Sequence, residues 1–373
     1  MIKTLLTILA TRQIIVVKQQ AGMKPAKRGN VIKSRRNALK LGLGGTLLVA
    51  SGRPAFAREK VVIYTGLSEA DFNKTVHDEF TRQTGIDVEM LVIPAAGAQV
   101  ARIRAEKARP RADVVVSQTI PFMQSMVKDG LLLPYKAKAE TPEYLQKGYA
   151  DPDGFWHGWF ALTPALFWNT RRFEADPVLQ GVKPPATWDD LLNPAFKGKV
   201  ALPSPQTTAI GYVLLATQVF RLGEQNAWEY ERKLNANISQ WTASPQLMVT
   251  LVEQGEAAVG AGWSSDVLNS KVAHGQALNF VLPPQDAVIV HTAGIIKGGP
   301  NPDGAGKYID FLQTDFAQAA NAKMGFRAGL NPDVPPPQGA PPLTSLDTVK
   351  YDTDWATANY DRLPKQWARE LGQ

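Results

Sequence analysis

The sequence predicts an α/β protein with more than one core, and three observations carry the prediction. The chain has 373 residues, above the roughly 250–300 at which a single core usually divides. With 44% hydrophobic and 20% charged residues, its composition is that of an ordinary globular protein. Between residues 60 and 130, short β-rich apolar runs alternate with amphipathic stretches that close on glycine. That β-α-β-α-β-α rhythm is the pattern of a mostly parallel sheet flanked by helices.

Lys60 to Thr65 (KVVIYT) reads as a buried strand that stops at Gly66. Glu69 to Gln83 is a helix, because Phe72, Val76 and Phe80 recur every four residues on one face, and Gly85 ends it. His77 falls on its solvated side. Residues 86–94 form a second strand. Residues 96–109 form a helix with Arg102, Arg104, Glu106 and Lys107 outward. Residues 112–116 form a third strand ending at Ser117-Gln118, and 121–129 a helix closed by Gly130. Residues 134–160 break the rhythm with Pro, Gly and aromatics, and WFALTPALFWN (159–169) is extended about Pro164. Thr187 caps a helix start whose first turn holds Asp189 and Asp190, acids that the helix dipole favours. A strand over 198–203 opens into Ser204-Pro-Gln-Thr207-Thr208, followed by helices over 211–222 and 245–254. A strand over 255–260 delivers Trp263-Ser264-Ser265-Asp266. Strands over 279–284 and 287–291 return the chain, and 304–320 is a helix. Gly325 to Pro332 is a loop, the Pro-rich 332–342 a turn-rich connection, and 345–369 is helical and packs outside. No internal repeat is present.

Charge distribution excludes one class of function. The net charge is +7, but residues 1–57 carry 11 Lys/Arg and no Asp/Glu. The remaining 316 residues hold 30 Lys/Arg against 34 Asp/Glu. A mildly acidic body has no footprint for nucleic acid. The basic N-terminal stretch reads as an export signal. Ser34-Arg35-Arg36-Asn37-Ala38-Leu39-Lys40 has the twin-arginine form, Leu41 to Ala50 is a short apolar run, and Ala55-Phe56-Ala57 is a small-x-small cut after Ala57. Met23 gives a tidier start than Met1. About ten apolar residues are too few to span a bilayer, which needs about twenty, and no cysteine follows to carry a lipid. The mature product is therefore expected to be soluble in the periplasm of a Gram-negative cell.

The absence of cysteine rules out disulfides, thiolate-held zinc or iron–sulfur sites and thiol catalysis. The four histidines, His77, His157, His274 and His291, show no metal-binding spacing. No nucleophile elbow, P-loop or dinucleotide fingerprint occurs, so no catalytic residue is assigned and no enzyme is expected. What remains is a set of polar loops: Thr65-Gly66, Ser117-Gln118, Ser204 to Thr208 and Trp263 to Asp266. Each follows the carboxyl end of a predicted buried strand, where ligands bind in open α/β sheets. Helices begin in the same loops, and their unpaired N–H groups favour anions.

Several segments in order resemble family-1 extracellular solute-binding proteins of ABC importers, in the branch that contains the ferric-iron-binding periplasmic proteins. They are VVIYTG (61–66), RADVVVSQTIPFM (111–123), KDGLLLPY (128–135), NPAFKGKVALPSP (193–205), VEQGEAAVGAGWSSD (252–266), AGIIKGGPNPDGAGKYIDFL (293–312) and FRAGLNPDV (326–334). The resemblance implies a type II two-lobed fold with a strand hinge. Lobe 1 would comprise 58–160 and 286–345, lobe 2 161–285, and a C-terminal helical segment 346–373. It implies a periplasmic binding component that closes on a solute and serves an inner-membrane permease with its ATPase, as a monomer, with no cofactor. Iron-binding members place a histidine in the loop matching Thr65 to Glu69 and paired tyrosines near Trp263-Ser264. Both are missing here, so no metal ligands are assigned and ferric iron is the second choice of cargo. Ser204, Thr207 and Thr208 resemble the family's anion-holding loop, which favours a phosphonate or phosphate ester. Arg327 could add charge, Trp263 could stack on an organic body or sit in the core, and Asp266 could receive an ammonium group or cap a helix. The alternatives are a ferric-iron protein, a polyamine-type binder, a receptor feeding a sensor, and a secreted cofactor-dependent enzyme.

Overall fold

The structure, a computed structural model, describes residues 58–93, 95–275 and 277–373. The predicted export signal and its cut after Ala57 lie outside the described residues.

The first half of the sequence rhythm becomes β1 (Lys60–Thr65), α1 (Ala70–Thr84), β2 (Asp87–Val92), α2 (Ala96–Ala105), β3 (Val114–Thr119) and α3 (Ile120–Lys128). Alternation in β1 decides its two faces. Val61 and Ile63 pack with Phe72, Val76 and Phe80 of α1, whereas Tyr64 packs with Val100 and Ile103 of α2. Burying each large apolar side chain contributes about 1.5–3 kcal/mol. Gly85 ends α1 at φ 74°, donating its N–H to the Thr81 carbonyl. After β4 (Leu132–Leu133) and α4 (Pro142–Gln146), β5 (His157–Leu162) brings the chain to Thr163, where it crosses to a second sheet.

That sheet is built from β6 (Pro164–Asn169), β7 (Val200–Pro203), β8 (Ile238–Thr242), β9 (Val259–Trp263) and β10 (Leu278–Val281). Its helices are α5 (Thr170–Ala175), α6 (Ala209–Leu222), α7 (Glu224–Asn235), α8 (Pro245–Glu253) and α9 (Ser264–His274). The chain returns through β11 (Ile289–Ile296), then α10 (Pro302–Leu312), α11 (Asp315–Gly325) and β12 (Ala328–Gly329). The strand orders are β12-β5-β11-β3-β1-β2 with β4 on β11, and β10-β6-β9-β7-β8.

Each sheet is mixed where mostly parallel sheets were expected. The parallel part is β2-β1-β3 in one and β8-β7-β9 in the other. The antiparallel part comes from crossing between lobes. The outgoing β5 and returning β11 lie side by side, Ile289 opposite Leu162, and two strands joining the same pair of lobes in opposite senses must run antiparallel.

Other expectations need correction. The strand expected over 255–260 forms over Val259–Trp263, because Gly255 at φ 79° turns the chain out of α8 and the β6 ladder starts only at Val259. The helix expected over 304–320 is two, since Thr314 accepts from the Ala317 N–H and caps a new helix. The start capped by Thr187 is a five-residue 3₁₀ turn, with Asp190 accepting from the Ala186 and Thr187 N–H groups. His77 is packed against Tyr308, its Nε2 3.1 Å from the hydroxyl, and burial lowers its pKa to about 4.

The C-terminal stretch is helical only in α12 (Thr353–Ala358) and α13 (Arg362–Leu371), and it binds both lobes. Residues 347–349 pair with Asp286 in the returning crossover. Gln124 of α3 reaches Asp354, and Phe122 meets Tyr360 edge-on. On the other lobe, Leu363 and Trp367 are buried with Tyr212, Leu215 and Trp228 of α6 and α7. Arg362 pairs with Glu224.

Candidate functional site

Two neighbouring strands aim two helices at one place. β7 and β9 are adjacent and parallel, Val200 opposite Val259 and Ala201 opposite Gly260, so α6 and α9 open at the same sheet edge. In the other lobe β1 and β3 are likewise adjacent and parallel, and α1 and α3 follow them. Helix N-termini at strand carboxyl ends present N–H groups and positive dipole ends to the gap.

The start of α9 is tied to the outgoing crossover. The Ser264 N–H donates to the Thr163 carbonyl at 3.0 Å, and the two hydroxyls lie 3.1 Å apart. Trp263, which precedes the helix, stands edge-on to the His291 ring with centroids 5.7 Å apart. His291 stacks on Phe160 at 4.9 Å, since the two residues are opposite on β11 and β5. The Arg327 guanidinium lies 5.6 Å from the Phe160 ring centre and 5.7 Å from that of Phe72. It pairs with Glu69 and donates to Asn321 Oδ1 at 3.1 Å. Phe326, at φ 52°, ends α11 in the left-handed region and re-aims the chain at Arg327. Gly325 leaves the room, because a Cβ there would collide with the guanidinium.

The electrostatics of this cluster are unusual. His291 is 7% exposed, with the Ser117 backbone beside its ring. Burial and then the Arg327 charge lower its pKa to about 3, against a weaker opposing pull from the Ser117 backbone, so the ring is neutral. Burial raises Asp266 to about 6; Arg327 opposes this and Glu69 reinforces it. Asp266 Oδ2 and Glu69 Oε2 are both buried and unpartnered.

Of the sequence-predicted site residues, the structure brings Trp263, Ser264, Asp266 and Arg327 together here, with Ser117 beside His291. Ser117 sits at φ 68°, strained for a residue other than glycine, where the β3–β11 register shifts. Gln118 is fully buried, its amide donating to Gln99 and its Oε1 unpartnered. Thr65 is buried and its hydroxyl accepts from the Leu67 N–H at the turn containing Gly66.

Ser204, Thr207 and Thr208 form a separate group at the start of α6. Thr208 donates to the Ser204 carbonyl and accepts from the Gly211 N–H as N-cap, and Ser204 accepts from the Gln206 N–H. A Cβ at Gly211 would lie 2.5 Å from Pro203 and Ser204 backbone atoms, so glycine permits this close turn. Thr207 is exposed.

Arg327 is already paired, so it is not the uncompensated charge that sequence reasoning offered to an anion. Glu69, Phe160, Thr163 and His291 were not singled out by that reasoning. The available signal was a histidine inside the apolar run AVIVHTAGII (287–296).

A cavity of about 330 Å³ is lined by Thr119, Tyr149, Tyr212, Ile289, Val290 and Tyr360 among others, and by none of the cluster's residues. It therefore touches both lobes, the returning crossover and the C-terminal stretch, and its volume suits a small solute. Among the described residues no group of three His, Asp or Glu side chains is placed to hold a metal, and no helix is long and apolar enough to cross a membrane.

Known proteins share this architecture. Over 302 residues the chain is 25% identical to a putative 2-aminoethylphosphonate-binding periplasmic protein of Salmonella paratyphi A, covering 78% of this chain and 85% of that one. It is 25% identical over 280 residues to iron uptake protein A1 of Synechocystis, covering 70% and 73%. The solved periplasmic binding protein AfuA from Actinobacillus pleuropneumoniae, with fructose-6-phosphate bound, superposes with a TM-score of 0.72 at 24% identity, covering 85% of this chain and 99% of AfuA. The profile of a family described as bacterial extracellular solute-binding protein matches residues 109–346. That match spans more than half of the chain, which therefore belongs to the bacterial extracellular solute-binding proteins, receptors of the ABC-importer type with a two-lobed α/β fold.

Proposed function

We propose that this protein is a monomeric periplasmic receptor that captures an anionic organic solute, a phosphonate or phosphate ester, between its lobes. It hands the solute unchanged to an inner-membrane permease and its ATPase. The observation that carries the solute class is the pair of helix N-termini, α6 and α9, opening side by side from adjacent parallel strands, with Thr207 and Ser264 in the same loops. Dipole ends and N–H groups there favour an oxyanion held without a metal. Capture works by hinge closure: contacts with both lobes are complete only in the closed form, and that differential affinity shifts the population. No covalent step and no resident cofactor is involved.

Calorimetric titration and thermal shift against a panel of phosphonates and phosphate esters test this reading. A solute of the class should raise the melting temperature by mass action and be recovered intact. Failure of every phosphonate and phosphate ester to bind would overturn the solute class, and turnover of one would overturn the receptor reading. Ferric iron with a companion anion is the second reading, favoured by the similarity to an iron uptake protein. The Trp263-Ser264 pair supplies none of the phenolates that a hard trivalent ion prefers. Native mass spectrometry of protein taken from its source periplasm separates the two readings by mass.

A further inference from the structure

The cavity of about 330 Å³ takes its walls from four parts of the chain. One lobe gives Thr119 and Ile120, where α3 begins. The other gives Tyr212 and Val213 of α6, together with Ala209, the first residue of that helix. The returning crossover gives Val288 to Val290, and the C-terminal stretch closes the remaining side between Leu343 and Tyr360.

The lining is aliphatic and phenolic. Among the described residues it holds no acid, and its one charged side chain, Lys147, is already paired with Glu143 at 2.7 Å. Burial raises the pKa of Tyr212, Tyr351 and Tyr360, so their phenols are neutral near pH 7. Such a wall offers an ammonium group no counter-charge, and a ferric ion none of the phenolates it prefers.

The aromatic side of the cavity is also held in place. The Tyr360 ring lies between a ring from each lobe, its centre 5.3 Å from that of Phe122 on α3 and 4.5 Å from that of Tyr212 on α6. The Tyr212 hydroxyl donates to the Ala356 carbonyl, and Tyr351 meets Phe220 edge-on at 4.9 Å. Side chains fixed in this way lose little freedom when a ligand arrives.

Resting on the receptor reading above, we infer that the solute carries an apolar body without an amine, that this body fills the cavity, and that Tyr360 of the C-terminal stretch is one of the walls that select it. The oxyanion then lies at the start of α6, where Ala209 is shared between the helix start and the cavity. Since the walls belong to both lobes, the body leaves water completely only in the closed form. Its burial therefore favours closure.

Calorimetric titration of the full mature chain with phenylphosphonate, ethylphosphonate and 2-aminoethylphosphonate tests this, and phenyl phosphate with ethyl phosphate repeats the comparison for esters. The phenyl compound of each pair is expected to bind at least about tenfold more tightly than the ethyl one, because a ring buries more apolar surface. The amine should bind no more tightly than ethylphosphonate. Val290→Trp fills the cavity from the half-buried crossover, and Thr348→Trp fills it from an exposed position; each should erase the phenyl preference, as should Tyr360→Ala. Ligand-free melting curves of the three variants serve as folding controls. Equal affinity for phenyl and ethyl compounds, or tighter binding of the amine than of either phosphonate, would overturn the apolar body and leave the solute class standing. A phenyl preference that survives both tryptophan variants would overturn the cavity as its seat, and one that survives Tyr360→Ala would remove the C-terminal wall. Binding of no phosphonate and no phosphate ester would overturn this inference and the solute class together.

Discussion

Two loops of the second lobe, both legible in the sequence as polar segments at strand ends, are put to opposite uses. At the start of α6, Ser204 and Thr208 spend their hydroxyls on their own backbone: Thr208 caps the helix and Ser204 holds the turn. At the start of α9, no side chain caps the helix, the N-cap position is Trp263, and Asp266 in the first turn keeps a buried oxygen unpartnered. Ser204 and Thr208 are thus satisfied within the first loop, whereas Asp266 Oδ2 in the second has no partner among the described residues. Polar residues at a helix start identify a binding loop only when their hydrogen-bonding capacity is left over, and composition alone does not reveal that.

The largest expected effect follows from the unpartnered carboxyl. Asp266 has a folded pKa of about 6, against about 3.9 in the unfolded chain. Below pH 4 both states are protonated and the residue is neutral in its effect. Between about 4 and 6 the unfolded chain loses its proton while the native protein keeps it, so native stability falls as pH rises; above 6 the full cost is present. At about 1.4 kcal/mol per unit, that cost is on the order of 3 kcal/mol. His291, with a folded pKa of about 3, works in the opposite direction by destabilising the fold as the medium turns acid. The difference between wild type and Asp266→Asn therefore isolates the aspartate. From pH 4 to pH 7, ligand-free Asp266→Asn should gain on the order of 3 kcal/mol relative to wild type by urea unfolding. A flat difference curve would mean the carboxyl is satisfied, and the contrast between the loops would vanish.

This cost bears on how far the sequence could be read. Strands rich in Val and Ile, with glycine-ended helices between them, made β1 to α3 plain, because a buried parallel sheet needs those residues at those intervals. The segment 223–244 yielded nothing, although it folds as α7 and β8. The helix EQNAWEYERKLN is polar on average and buries Ala227 and Trp228 with Leu363 and Trp367 of the C-terminal α13, a surface supplied by residues some 130 positions later, while its Tyr230 and Leu234 pack with Trp188 and Leu191. Glu231 illustrates the same dependence. It is fully buried, raised to about 7 by desolvation, and accepts from the Trp367 indole at 3.3 Å. The candidate cluster was legible in part: Trp263, Ser264, Asp266 and Arg327 stood out by position, while Phe160 and His291 come together only when β5 and β11 pair.

A middling effect belongs to the completed loop. Thr208→Ala removes the N-cap of α6 and its bond to the Ser204 carbonyl, which should cost about 1–2 kcal/mol of unfolding free energy. Affinity should change little if the loop keeps its turn, because the hydroxyl faces its own backbone. Loss of affinity out of proportion to the loss of stability would show that Thr208 also touches the solute.

Thr207 is the finest test, since it separates the two uses within one loop. It is the exposed member of the group, and neither hydrogen bond that orders the turn is made by its side chain. Thr207→Ala should leave stability within about 0.5 kcal/mol of wild type. A single hydroxyl donating to a phosphonate oxygen contributes about 1.5–3 kcal/mol when the acceptor is charged, so affinity for ethylphosphonate should fall about tenfold or more. Should Thr207→Ala change neither stability nor affinity, the α6 loop would be scaffold throughout, and the oxyanion would rest on the start of α9.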